Sequence, residues 1–324
     1  MNQKVSVDNT YFAAIPFDIE SWRGRTGLAG SELQMESSDP TQWLFNGQPK
    51  GSDQPLHVAV ARLLGYQWPR QTGSSFPDCP ALGLDGLEKF ADDDGIVCIN
   101  PIKGEQPAAE RLRVLFAAAF GSEWAPGMQN ELLEQAGFGG KSLEDWLRNG
   151  FFEQHCQLFH QRPFIWQIWD GRRDSFSALV NYHKLNRSNL EKLTYTFLGD
   201  WVARQKSAKD AGEEGSDARL QAAQELKSKL EKIIEGEAPY DIFVRWKPLE
   251  KQPIGWEPDL NDGVRLNIRP FVEAGVLRKN PKINWNKDRG KDVASAPWYK
   301  VFKGDRINDH HLSLAEKRKA RGKN

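Results

Sequence analysis

RPFIWQIWDGRRDSFSALVNYHKL, residues 162–185, decides how the rest of this chain is read. β-Branched and aromatic residues crowd Phe164 to Trp169, and a second run of the same character covers Phe176 to Tyr182. Asp170-Gly171, a turn-forming pair, stands between them. The pattern predicts a β-hairpin, or a strand turning into a helix. Trp166 and Trp169 serve in such a hairpin either as core anchors or as faces for stacking. Arg162-Pro163 marks where the pattern changes from helical to extended.

Downstream, Ser188-Asn189-Leu190-Glu191 starts a helix that runs to about Lys206. Ser216 to Glu235 carries Leu220, Ala223, Leu226, Leu230 and Ile233/Ile234 at helical spacing, so a long amphipathic helix is expected there. Across the loop 209–215 the two form an antiparallel pair. Beyond Gly236 come a Trp/Pro-rich segment and DLNDGVRLNIRPF, residues 259–271. The last fifty residues are basic, poor in apolar side chains and expected to be partly disordered.

Upstream, Ser142-Leu143-Glu144-Asp145 is a capping box opening a helix toward Phe151, Phe152 and Phe159. Gln129–Ala136 is a helix closed by Gly137. Pro107 opens an Ala/Leu/Arg helix ending near Gly121. Ile96–Ile99 is a short strand broken by Asn100-Pro101, and Pro55–Gly65 is a helix. The first fifty residues read as an irregular lead-in. The fold class is therefore mainly α with a small β component (α+β): a helical array, a hairpin region and a long helical pair. Three parts are expected: an acidic helical lead-in, 1–140; the hairpin with the helical pair, 141–258; and a basic C-terminal segment, 259–324.

Composition is that of a globular protein, 39% apolar and 27% charged, with 12 Trp in 324 residues. The zero net charge conceals an asymmetry. Residues 1–150 carry 12 basic against 20 acidic side chains, whereas from Arg265 onward 16 basic face 6 acidic. That suits a protein presenting one face to a polyanion, or a chain with a solvated basic tail. The three cysteines are irregularly spaced and form no disulfide framework, which points to a reducing compartment. No apolar window reaches the ~18 residues of a membrane span, and the N-terminus has no secretory signal pattern; a cytoplasmic location is expected.

Catalytic candidates fail on context. Gly137-Phe138-Gly139-Gly140 follows a helix rather than a strand, so it is not a cofactor cradle. Asn100-Pro101-Ile102-Lys103 lacks the second proline and the aromatic of an amino-methyltransferase tetrad and reads as a loop. His155, Cys156 and His160 are half a zinc site at most, or a packed helix face. Asp309 with His310-His311 has no nucleophile elbow to serve, and Asp92-Asp93-Asp94 is a solvated turn. No catalytic and no metal-binding residue is assigned.

The 162–185 stretch resembles a segment downstream of the catalytic domain in large adenine-specific DNA methyltransferases. These are the single-chain type IIG-like enzymes and the methylases of BREX- and DISARM-like phage-defence systems. PDLNDGVRLNI (258–268) resembles a second signature of that family, and Trp285–Arg289, Ala296-Pro297-Trp298 and Asp305–Asp309 resemble its closing segment. The likeness covers residues 140–315, and the first 140 more loosely. It implies a target-recognition and helical spacer region that follows a Rossmann-like core, without the cofactor loop or the Asn-Pro-Pro-aromatic tetrad of that core.

The resulting expectation is a DNA-binding specificity part of such a system, with double-stranded DNA and a methyltransferase core polypeptide as partners. S-adenosylmethionine belongs only to that separate core; the chain itself holds no cofactor. The alternatives are a split methyltransferase subunit active in trans, or a protein-interaction module. The hairpin and the basic stretch Arg265–Lys303 would face the duplex. Arg172, Arg173, Lys184, Arg187, Arg265, Arg269 and Arg306 are the candidate DNA contacts, with Lys287, Arg289 and Lys291 neutralising phosphates. Trp166 and Trp169 are candidates for base stacking or hairpin anchoring.

Overall fold

The computed structural model describes residues 47–68, 83–125, 127–240 and 267–283. Within it the 162–185 stretch forms a hairpin. β1 (Ile96–Cys98), β2 (Ile165–Trp169) and β3 (Ser177–Asn181) make one antiparallel sheet in the order β1-β3-β2. Ile165 lies opposite Asn181 and Trp169 opposite Ser177, while Val97 of β1 lies opposite Leu179. Every residue of β3 is buried, because the sheet is covered on both faces. That coverage explains why its sequence is a continuous apolar run rather than an alternating one.

Around the sheet lie α1 (Pro55–Leu63), α2 (Ala108–Phe120), α3 (Met128–Gln135), α4 (Leu143–Asn149) and α5 (Phe151–Leu158). α1 packs on α2 and α3, and α5 packs on β2. The capping box at α4 is formed: Asp145 N donates to Ser142 Oγ at 3.1 Å, and Ser142 N donates back to the Asp145 carboxylate at 3.4 Å. The single helix expected to continue toward Phe159 is instead two, broken at Gly150. A Cβ at Gly150 would stand 2.3 Å from the Phe138 ring, so glycine there lets that ring close over the α4–α5 junction.

Arg62 on α1 is buried, and its guanidinium grips the Asp85 carboxylate at 2.7 and 2.8 Å. Burial alone would raise the Asp85 pKa, but the Arg62 hydrogen bonds prevail and hold it down at about 2.

After β3 the chain enters α6 (Arg187–Glu191), a π-helical turn (Lys192–Phe197) and α7 (Leu198–Asp210). The cap is Asn186, whose side-chain oxygen accepts from Asn189 N at 2.9 Å, so the helix begins one residue earlier than its Ser188 suggested. Thr194 donates its hydroxyl to the Leu190 carbonyl at 2.7 Å, inside the π turn. α8 (Ser216–Glu235) returns along this element. Lys209–Asp217, Gln205–Arg219 and Arg187–Glu235 form successive rungs at 2.6 to 2.7 Å, a register only an antiparallel pair can have. α9 (Arg269–Glu273) then sets Phe271 against Trp166.

The chain is thus mainly α with a small antiparallel sheet. The sheet draws β1 from one side of residue 140 and β2 and β3 from the other, and the buried side chains of both sides belong to one core. The lead-in before residue 47, the DLNDGVR signature and the basic end from 284 lie outside the described residues. Among the described residues no helix is long and apolar enough to cross a membrane.

Candidate nucleic-acid interface

Seven residues, Asp170 to Phe176, connect the two hairpin strands, and Asp170 organises them. Its carboxylate accepts from Arg172 N and Phe176 N, each at 3.1 Å, and from the Ser175 hydroxyl. Burial raises the Asp170 pKa, against the pull of these donors. Gly171 at φ 88° supplies the left-handed residue that the reversal needs. The Trp201 indole donates to Ser175 Oγ at 3.2 Å and ties α7 to the same loop. The loop that carries Arg172 and Arg173 is therefore fixed from inside.

Residues 276–278 run along the outer edge of β2. Trp169 N donates to Val276 O and Arg278 N donates to Gln167 O, both at 2.9 Å, with Ile168 and Leu277 as bridge partners. The Trp169 indole donates to Leu277 O at 2.9 Å. The Arg278 guanidinium lies 4.3 Å above the Trp169 ring, donates from Nε to the Arg148 carbonyl at 2.9 Å and from Nη2 to Asn149 Oδ1 at 3.2 Å. Burial lowers its pKa, and the like charge of Arg173 lowers it further.

Between this strap, the hairpin loop and α4–α5 opens a cleft of about 560 Å³. Lys141, Arg173, Arg278 and Lys279 line it, against the carboxylates Asp145 and Glu153, with Phe138, Phe152 and Asn149 completing the wall. Lys279 is paired with Glu153, whereas Arg173 and Lys141 are exposed and form no ion pair among the described residues. Chemically this is a concave cationic site rich in hydrogen-bond donors.

The sequence candidates fall into separate places. Arg173 enters the cleft; its neighbour Arg172 points its fork at Asp174, at 3.0 and 3.1 Å. Lys184 is bound to the fold, donating from Nζ to the carbonyls of Asp92 and Asp93 at 3.0 and 3.2 Å. Arg187 bridges Glu191 and Glu235, and Arg269 faces Glu273 at 3.6 Å. Trp166 is wholly buried against Tyr182 and Phe271 and anchors the hairpin from within, which leaves it no face for a base. Trp169 offers its face to Arg278. Arg265, Lys287, Arg289, Lys291 and Arg306 lie outside the described residues.

Sequence reasoning placed Arg278 and Lys279 only within a long basic stretch and passed over Lys141. Each is an ordinary surface cation until the strap brings them together.

Of the other sequence candidates, His155, Cys156, Asn100 and the Gly137–Gly140 cluster have structural roles, and Asp309, His310 and His311 lie outside the described residues. His155 Nε2 accepts from Ile165 N at 3.1 Å in the core, and Cys156 is buried, its thiol pushed up to about 12 by burial. His160 is exposed. The Gly137–Gly140 cluster connects α3 to α4, and Asn100 accepts from Ser177 N at 3.2 Å, binding the end of β1 to β3. A second cavity, of about 430 Å³, is lined by amides and imidazoles, Gln54, His57, Gln135, Gln154, Gln157 and His160 among them.

No model of a known protein family matches the chain. Over 135 residues it is 23% identical to the adenine-specific methyltransferase BrxX of Escherichia coli O9:H4 (strain HS). The matched stretch is 40% of this chain and only 11% of that protein, so the chain spans a small part of the relative's length. The similarity is to a methyltransferase-related sequence.

Proposed function

We propose that this chain is a DNA-recognition part of an adenine-specific methylation system, of the restriction–modification or phage-defence kind, and that it binds duplex DNA through the face holding the cationic cleft. The observation that carries the reading is the convergence of four cations from three chain segments in one concavity, three of them (Lys141, Arg173 and Arg278) without an ion-pair partner among the described residues. Among the described residues most other arginines are neutralised within the fold: Arg62, Arg111, Arg113, Arg187, Arg204 and Arg219 each meet a carboxylate. The likeness to BrxX supports the methylation setting. Methyl transfer from S-adenosylmethionine is assigned to a separate core polypeptide, which this chain would direct to its site.

Fluorescence anisotropy with a labelled duplex across a salt series tests the reading. Affinity should fall steeply with salt, by roughly one log–log unit for each phosphate neutralised. Absence of binding at low salt would overturn it.

A further inference from the structure

We infer that the cleft seats one phosphodiester phosphate of DNA on Arg278, as a pre-oriented guanidinium fork, with Arg173 closing on the same phosphate from the hairpin loop. The inference rests on the DNA reading and makes it specific to one phosphate. A surface lysine or arginine that meets the DNA backbone normally loses rotamer freedom as it does so. Arg278 has already lost it: the indole of Trp169 lies under the guanidinium plane, the Arg148 carbonyl takes Nε–H, and Asn149 takes one Nη2 proton. These contacts use one edge of the fork. Nη1 and the second Nη2 proton donate to no group among the described residues, and they lie in a cleft whose other cations are Arg173, Lys141 and Lys279.

Two arginines, held near enough for one to depress the other's proton affinity, repel each other. The carboxylates in the lining relieve that repulsion only in part: Glu153, paired with Lys279, offsets less than Arg173 imposes, and Asp145 is committed to the cap of α4. A tetrahedral dianion or phosphodiester is the group that accepts from two such forks at once. The adjoining Phe138 and Phe152 give the cleft an apolar wall that limits water's competition for those donors.

The test uses the full chain, wild type and four variants: Arg278→Lys, Arg173→Ala, Trp169→Phe and, as a control for charge elsewhere, Lys206→Ala on the exposed face of α7. Duplex binding is followed across salt, and inorganic phosphate is titrated while the Trp169 indole N–H is watched by NMR, its resonance assigned with Trp169→Phe. Arg278→Lys keeps the charge and should leave the salt slope unchanged, yet lose about tenfold in affinity because the fork is gone. Arg173→Ala should lose a comparable factor and about one unit of slope, with its melting temperature unchanged, since the side chain forms no ion pair among the described residues. Lys206→Ala should shift affinity less than about twofold.

The assignment is overturned if Arg278→Lys and Arg173→Ala both bind the duplex as the wild type does; the DNA reading then survives on other cations. If the wild type binds no duplex while phosphate still moves the Trp169 resonance and Arg173→Ala abolishes that movement, the cleft is a free-phosphate site and the DNA reading fails instead. Duplex binding lost equally in Arg173→Ala and Lys206→Ala would mean diffuse charge and would also overturn the single-phosphate site.

Discussion

His57 donates from Nε2 to Gln154 Oε1 at 3.4 Å, a role fixed by the amide itself. Gln154 turns its nitrogen to the Ala136 carbonyl at 2.7 Å and its oxygen to the Trp146 indole at 2.9 Å, so only an acceptor faces the imidazole. Nδ1 then carries the lone pair, buried and without a hydrogen-bond partner among the described residues. His155 needs the opposite tautomer, with Nε2 accepting from Ile165 N. Phe151 stacks on His155 and lies tilted against His57, and the two imidazole centroids are 6.2 Å apart. Burial lowers the His57 pKa from 6.5 to about 4, against the weaker pull of Gln154, and burial lowers that of His155 well below its ordinary value.

Both pKa values are therefore lower in the folded state than in the unfolded, and between them the unfolded chain binds more protons. Stability is full above pH 6.5 and falls as the pH drops from 6.5 toward 4, by ~3 kcal/mol over the window for His57 alone, with His155 adding to it. Urea unfolding at pH 7.5 and 4.5 measures the loss. His57→Leu should flatten part of the slope, and a wild-type stability equal at the two pH values would contradict neutral burial.

At the scale of elements, the join between α1 and the sheet depends on two glycines. Gly65 follows α1 and Gly95 precedes β1; Asn181 at the end of β3 donates to Leu64 O at 2.9 Å, and its backbone N to Gly95 O at 2.7 Å. Gly95 has φ 70°, and a Cβ there would stand 2.8 Å from the Asn181 Cβ and 3.0 Å from Lys184 Cδ. Gly95→Ala should therefore cost about 2 kcal/mol, from left-handed backbone and crowding together. It should also loosen β1 first, visible as faster amide exchange at Ile96 and Asn181 than in α8.

This junction also shows which parts of the fold were legible. The capping box, the hairpin and the α7–α8 pair depend on local spacing, and the sequence shows them. The pairing of β1 with β3 spans α2 to α5, and a strand of three buried residues has no period to read. Lys184 looked like a surface cation because nothing in its own stretch says that the carbonyls of Asp92 and Asp93 lie beside it. Arg172 and Arg173 are equivalent in sequence; only the loop's folding gives the first to Asp174 and the second to the cleft.

For the molecule as a whole, a net charge of zero means that attraction to a polyanion must be local, set by how cations and carboxylates are arranged on the cleft face. Glu153 is the informative group. It lies in the lining and cancels Lys279, with both partners roughly half exposed at 46% and 40%. A pair so exposed contributes ~0–1 kcal/mol to folding, so removing its negative member should leave the melting temperature nearly unchanged. It should nonetheless alter binding, because Glu153→Gln releases Lys279 and raises the cleft's charge by one. The expected result is a severalfold gain in duplex affinity at fixed salt, with a log–log slope steeper by about one unit. The same change made to an exposed carboxylate remote from the cleft, Glu225→Gln on α8, should give neither effect. Equal gains from both substitutions would mean that DNA senses only total charge, and the cleft would lose its claim to be the interface.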